Sequence, residues 1–126
     1  MMYKKNPITP HLQVYKWNVS SLLSISHRIV GVMNILAISL ICLWVVSLSN
    51  GQSDYQSIQL FFKSIYGKFL IITLCWSFSF HILNEVRHLA WDLGYGFNLK
   101  VSKITGIITI LGSFLITVLT YITGKA

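Results

Sequence analysis

The chain has 126 residues, of which 54% are hydrophobic and only 10% are charged. Soluble domains carry about 25% charged residues, so this composition, with a mean hydropathy of +0.65, excludes a water-soluble globule and predicts a single all-α membrane domain, residues 1–126. The net charge of +7 does not indicate a nucleic-acid partner, because the basic residues flank apolar runs, where they act as topology signals and contact membrane lipid.

The first 20 residues predict an arm and not a spanning segment. They lack the apolar core of a secretory signal peptide and the Arg-rich amphipathic character of a mitochondrial transit peptide. Pro7 and Pro10 are expected to break regular structure locally. Without a targeting segment, we expect a multi-pass protein of a bacterial inner membrane, or of the mitochondrial inner membrane if the gene is organellar.

Three apolar runs predict membrane-spanning helices. The predicted spans are about 22–48, about 67–90 and about 104–124. Each approaches or exceeds the roughly 20 residues that cross about 30 Å of hydrocarbon. They must be helices, because a chain this short cannot close a β-barrel. The polar segments 49–66 and 91–103 are predicted to be loops.

The distribution of basic residues predicts the orientation. The arm, the start of the first span and the second loop are richer in Lys and Arg than the first loop and the C-terminal tail. These residues are Lys4, Lys5, Lys16, Arg28, Arg87, Lys100 and Lys103. By the positive-inside rule, the N-terminus is expected on the cytoplasmic or matrix side and the C-terminus on the opposite side.

A first candidate site lies at the entrance of the first span. Ser24, His27 and Arg28 are three or four residues apart and therefore share one helix face. A hydroxyl that donates to a carbonyl oxygen, and a guanidinium that stabilises developing negative charge, suit a quinone. The alternative is structural: Ser20, Ser21 and Ser24 cap the helix start and Arg28 extends to a lipid phosphate.

His81 is the second candidate site, because it lies in an uncharged run near the middle of the second span. It is about 16 Å along the helix axis from Asp92. A polar group there must bind something, and a neutral imidazole is a good axial ligand for haem iron. Glu85, Arg87 and His88 follow on the same helix. The alternative is that His81 bonds to a neighbouring helix.

Two composite motifs resemble the succinate dehydrogenase cytochrome b subunit family. Residues 6–15 read NPITPHLQVY and residues 20–31 read SSLLSISHRIVG, against family patterns of R-P-x-S-P-H-L-x-x-Y and S-I-x-H-R-x-x-G. Residues 81–94 read HILNEVRHLAWDLG, against H-x-x-x-G-x-R-H-L-x-W-D-x-G. The order, the spacing and the three spans extend the resemblance over nearly the whole chain.

The resemblance implies a haem b shared with a second small membrane anchor subunit. His81 would be one axial ligand to the iron, and the second subunit would supply the opposite ligand. His27, Arg87 and His88 would neutralise the haem propionates. No C-x-x-C-H motif is present, so the haem would be held without thioether bonds.

The resemblance further implies that Ser24 and Arg28 form part of a quinone-reduction site, with ubiquinone as the expected substrate. Asp92 would hold Arg28 or Arg87 by a charge-assisted hydrogen bond. Glu85 departs from the family, which carries Gly at that position; we expect Glu85 to pair with Arg87 or with a partner's base, or to crowd the haem.

These features predict a membrane subunit of succinate:quinone oxidoreductase. Succinate oxidation itself would lie on a flavoprotein subunit, connected through an iron–sulfur subunit, because this chain has neither a dinucleotide-binding glycine motif nor a cysteine cluster. Two alternatives remain: a fumarate reductase anchor, in which electrons flow in reverse, and a haem-free structural membrane anchor.

Overall fold

The computed structural model of the protein describes residues 16–125, which contain four helices and no strand. The helices are α1 (Val19–Asn50), α2 (Gln52–Lys63), α3 (Ile65–Asp92) and α4 (Leu99–Lys125). The predicted all-α class is confirmed. The first 15 positions of the predicted arm, with the motif at 6–15, lie outside the described residues.

Helices α1, α3 and α4 are long and apolar enough to cross a membrane. They have 32, 28 and 27 residues, or roughly 40–48 Å at about 1.5 Å per residue. Each helix is longer than the span predicted for it, because the flanking polar residues continue the same hydrogen-bonded backbone into the interface. At the start of α1, the Asn18 backbone N–H donates to Ser21 Oγ at 3.3 Å.

Segment 49–66 was predicted to be a loop, and this prediction is wrong because most of it forms α2. Half-buried Tyr55, Ile58 and Phe62 recur at helical spacing and face the bundle. Asp54 lies in the first turn and Lys63 in the last, so both charges favour the helix dipole. The chain reverses between α1 and α2 at Gly51, whose φ of 121° favours glycine.

The interior of the bundle is small and polar, whereas its outer surface is apolar. The buried hydrophobic residues are Leu23, Val30 and Phe80, and nine polar or charged residues are also buried in the described part. Several of these hydroxyls donate to a carbonyl in the preceding turn, as Thr117 does to Ser113 at 2.8 Å. This distribution fits a bundle whose solvent is lipid, in which small side chains let helices approach closely.

Arg87 joins three helices near the start of α1. Its guanidinium Nη2 donates to the carbonyl and hydroxyl oxygens of Ser102, both at 3.0 Å, and its Nε donates to Thr105 Oγ1 at 3.2 Å. The Arg87 guanidinium also lies 4.1 Å from the ring centroid of Trp91. Ser102 Oγ in turn lies 3.2 Å from Ser20 Oγ of α1. The buried charge is therefore held by neutral groups.

The turn between α2 and α3 generates a prediction about packing. A Cβ added at buried Gly67 would meet the carbonyl oxygen of Phe61 and lie 2.6 Å from the Cα of Phe62, both of which are backbone atoms. Gly67→Ala should therefore lower the free energy of unfolding in detergent by about 1–3 kcal/mol. Gly124→Ala is the control, because a Cβ there has no atom within 4 Å. Equal thermal stability of the two variants would contradict this packing.

Candidate functional site

The cleft between α1 and α3 brings together His27, His81 and Glu85. The rings of His27 and His81 stack with centroids 4.3 Å apart and planes 12° apart. Glu85 Oε1 lies 3.0 Å from His27 Nε2 and 3.9 Å from His81 Nε2. Because His81 and Glu85 are four residues apart on α3, they share a face, and that face meets α1 at His27.

His88 extends this group along α3 towards the end of the helix. Its ring centroid lies 5.6 Å from that of His27, with planes tilted by 49°. Its other neighbour is Trp91, which it meets edge-on at 5.1 Å. The cleft therefore presents three imidazoles in a row, from the middle of the span to its polar end.

Gly31 leaves room beside the imidazole of His81. A Cβ at Gly31 would lie 3.8 Å from His81 Cε1, so a longer side chain would fill the space next to the ring. The side chains of His27 and His81 remain 20% and 31% exposed, which leaves the cleft open on one side.

Two imidazole nitrogens in the cleft have no hydrogen-bond partner. They are His27 Nε2 and His81 Nδ1, and both are inaccessible to solvent. The nearest polar atom to His27 Nε2 given by the ion pairs is Glu85 Oε1, at 3.0 Å. A neutral imidazole beside open space fits an iron ligand, and the neighbouring imidazoles fit propionates. These residues fit a haem if the Glu85 carboxylate, which is 56% exposed, turns outward.

Arg87 was predicted to lie with His27 and His88 as a haem-propionate residue. The structure places its guanidinium in the α3–α4 interface, bound to Ser102 and Thr105. Asp92 was expected to hold Arg87 or Arg28. This expectation is wrong within the described residues, because Asp92 is exposed and makes no ion pair there, while the α4 hydroxyls satisfy Arg87.

Ser24 and Arg28 both lie exposed on α1, one turn apart. Neither forms a hydrogen bond or ion pair with the described residues, whereas Leu23 and Val30 on the opposite side of α1 are buried against the bundle. The structure thus brings Ser24 and Arg28 to one outward face and leaves their polar groups available to a ligand or a partner.

Sequence reasoning missed two features of this region. The first is the contact of Glu85 with His27, since pairing was expected with Arg87 or a partner's base. The departure from the family glycine was the signal that singled out Glu85, but the facing residue depends on how α1 rotates. The second is Asn84, which is 0% exposed and whose amide nitrogen and oxygen have no partner among the described residues. Asn84 lies three residues before Arg87, so the two share a face of α3, and this spacing could have indicated that Asn84 is buried.

Comparisons with known proteins agree with this architecture. The model of the succinate dehydrogenase/fumarate reductase transmembrane subunit family matches residues 2–120. The succinate dehydrogenase cytochrome b556 subunit of Rickettsia conorii is 39% identical over 96% of this chain and 94% of its own length. The corresponding subunit of Paracoccus denitrificans is 31% identical over 92% and 89% of the two chains.

A mitochondrial relative is also similar. The mouse succinate dehydrogenase cytochrome b560 subunit is 33% identical over 86% of this chain and 69% of its own length. The match of the family model to nearly the whole chain and the identity to full-length relatives agree with the three apolar helices. The chain therefore belongs to the succinate dehydrogenase/fumarate reductase transmembrane subunit family.

Proposed function

We propose that this chain is the haem b-binding membrane anchor subunit of a succinate:quinone oxidoreductase. The observation that carries the proposal is His81, whose imidazole lies in the α1–α3 cleft near the middle of an apolar helix, beside His27 and the space at Gly31. A plain anchor has no need of an imidazole at this depth, where polar groups are costly.

The residues of the cleft would have two roles. One would bind the haem iron, and the others would bind the haem propionates. His81 would bind the haem iron, and a residue of the second anchor subunit would supply the opposite ligand. His27 and His88 lie close enough to each other to bind propionates together, and Arg87 would contribute positive charge from the α3–α4 interface. When bound, the haem supplies a one-electron redox centre inside the membrane.

Ser24 and Arg28 would bind the carbonyl end of ubiquinone at the outward face of α1. The Ser24 hydroxyl donates a hydrogen bond to a carbonyl oxygen, and the Arg28 guanidinium stabilises the negative charge that this oxygen gains on reduction. Both side chains are exposed in this chain alone, so the second anchor subunit must cover them to form a site that excludes water.

The remaining subunits would dock on the side that carries the N-terminus. The basic residues of the single domain are concentrated on this side, which supports a cytoplasmic or matrix location for it. An iron–sulfur subunit on this face would deliver electrons close to Ser24 and Arg28, and a flavoprotein subunit beyond it would oxidise succinate.

The role of His81 can be tested by the optical spectrum of the haem in the assembled complex. His81→Ala should abolish the b-type spectrum of the dithionite-reduced, assembled complex, because the iron loses one of its axial nitrogens. Ile82→Ala is the matched control, since Ile82 is the next residue on α3 and is exposed on the outer surface. An unchanged b-type spectrum in His81→Ala would refute the assignment.

The quinone site can be tested by comparing two electron acceptors. Ser24→Ala and Arg28→Leu should each lower succinate:quinone activity by roughly 10- to 1,000-fold, the effect expected for removing one key polar stabiliser. Succinate oxidation with a water-soluble dye that accepts electrons upstream should persist, because the soluble subunits remain intact.

Ser39→Ala is the control for this experiment. Ser39 is an exposed serine of the same helix that only donates to the carbonyl oxygen of Ile35, at 2.9 Å. Parallel loss of both activities in Ser24→Ala or Arg28→Leu would indicate a role in assembly instead. No loss in either assay would favour a serine cap and an arginine that contacts lipid phosphate.

A further inference from the structure

The α1–α3 cleft contains a donor set that the family motif lacks. His27, His81 and Glu85 each offer one ligand atom, and these three atoms all lie within 4.8 Å of one another. We propose that, in the haem-free chain, these residues form a binding site for one divalent cation of the zinc class.

The chemistry of the three donors favours zinc. Two imidazole nitrogens and one glutamate oxygen, with a water in the fourth position, make up a recurring tetrahedral zinc site. The set contains only one carboxylate, so it lacks the oxygen ligands that calcium and magnesium require. The open side of the cleft, where Glu85 is exposed, leaves the fourth position accessible to water and to the entering ion.

The geometry needs one small adjustment. Glu85 Oε1 already lies 3.0 Å from His27 Nε2, a separation close to that between two ligands of one zinc ion. An ion must lie in the plane of each imidazole that binds it, and the rings of His27 and His81 are stacked. One ring must rotate about its side-chain bonds to aim both nitrogens at one ion, and no hydrogen bond at His27 Nε2 or His81 Nδ1 opposes that rotation.

Electrostatics also favours a cation at this point. A carboxylate in or near hydrocarbon is costly unless a positive charge compensates it. Among the described residues, Glu85 forms ion-pair contacts only with the two imidazoles, since the nearest arginine along the chain, Arg87, is bound to Ser102 and Thr105 of α4. A divalent ion between the imidazoles would supply the missing charge and join α1 to α3.

The site has a consequence for haem loading. The cation and the haem would both use the His81 imidazole and the space beside it, so the two ligands should exclude each other. This consequence rests on the proposed function, whereas cation binding itself does not. Glu85 is the residue that adds the third donor, since the family carries Gly at this position.

The test is a titration of the full chain, purified in mild detergent without haem, with Co²⁺. Wild-type protein should develop the intense visible absorption of a tetrahedral cobalt site at one equivalent, and Zn²⁺ should displace it. Glu85→Gln and His27→Ala should each weaken Co²⁺ binding by at least tenfold, since loss of an outer-shell partner alone costs roughly 10–100-fold. Helix content measured by circular dichroism checks that each variant is folded.

Asp92→Asn is the control that matches Glu85→Gln in charge and helix. Asp92 lies on α3 two turns after Glu85 and is exposed. The Co²⁺ affinity of the Asp92→Asn variant should therefore stay within twofold of wild type. Wild-type protein that binds no Co²⁺ at one equivalent would overturn the inference. Equal binding by Glu85→Gln and wild type would overturn it as well.

Glu85→Gly separates the cation site from the haem site. This variant restores the family residue, so it should lose Co²⁺ binding while the assembled complex keeps its b-type spectrum. Loss of the b-type spectrum in Glu85→Gly would refute the separation of the two sites. If wild-type complex showed no b-type spectrum but the haem-free chain bound Co²⁺, the proposed function would fall and the cation site would stand.

Discussion

Hydrocarbon offers no hydrogen-bond partner, and this constraint decides where each polar side chain of the protein lies. A hydroxyl, amide or imidazole that cannot reach water must bond to its own helix, to another helix or to a ligand. In α4, Ser113 and Thr117 bond to carbonyls in the preceding turn, and Ser77 bonds to Asn34 of α1 at 2.9 Å. Within the described part of the chain, most buried side chains without a hydrogen-bond partner lie on α3, at Trp76, His81 and Asn84, and His27 on α1 is the other.

The placement of Arg87 determines the surroundings of Glu85. Arg87 is only two residues away along α3, but successive residues on a helix point in different directions. Its guanidinium is directed to α4, where Ser102, Thr105 and the face of Trp91 hold it. Glu85 therefore faces α1 and contacts His27. The same segment of α3 thus binds α4 through the Arg87 guanidinium and presents the Glu85 carboxylate to the cleft. The contact between α3 and α4 and the site between α1 and α3 therefore depend on each other.

Most of the architecture follows from the sequence, because a long uncharged run in a chain of this length is stable in a membrane only as a helix. The three spans are recognisable from length and composition, and His81 stands out because imidazole is rare at that depth. Helix α2 could not be recognised by hydropathy, since its apolar residues Tyr55, Ile58 and Phe62 are mixed with polar ones and only their spacing indicates a helix. The partners of Arg87 and Glu85 could not be predicted, because they depend on the rotation of α1 and α4 about their axes.

Glu85 adds a charged donor to the cleft between α1 and α3. A glycine at this position would leave His27 and His81 as two stacked imidazoles beside open space, which suits a flat macrocycle. Glutamate adds a charge and a third donor at 3.0 Å from one ring nitrogen, and its exposed side chain can turn towards the cleft or away from it. In the two proposed assignments, a Glu85 carboxylate turned away from the cleft leaves the His81 imidazole to the haem iron, whereas a carboxylate turned towards the cleft completes the donor set for a divalent ion.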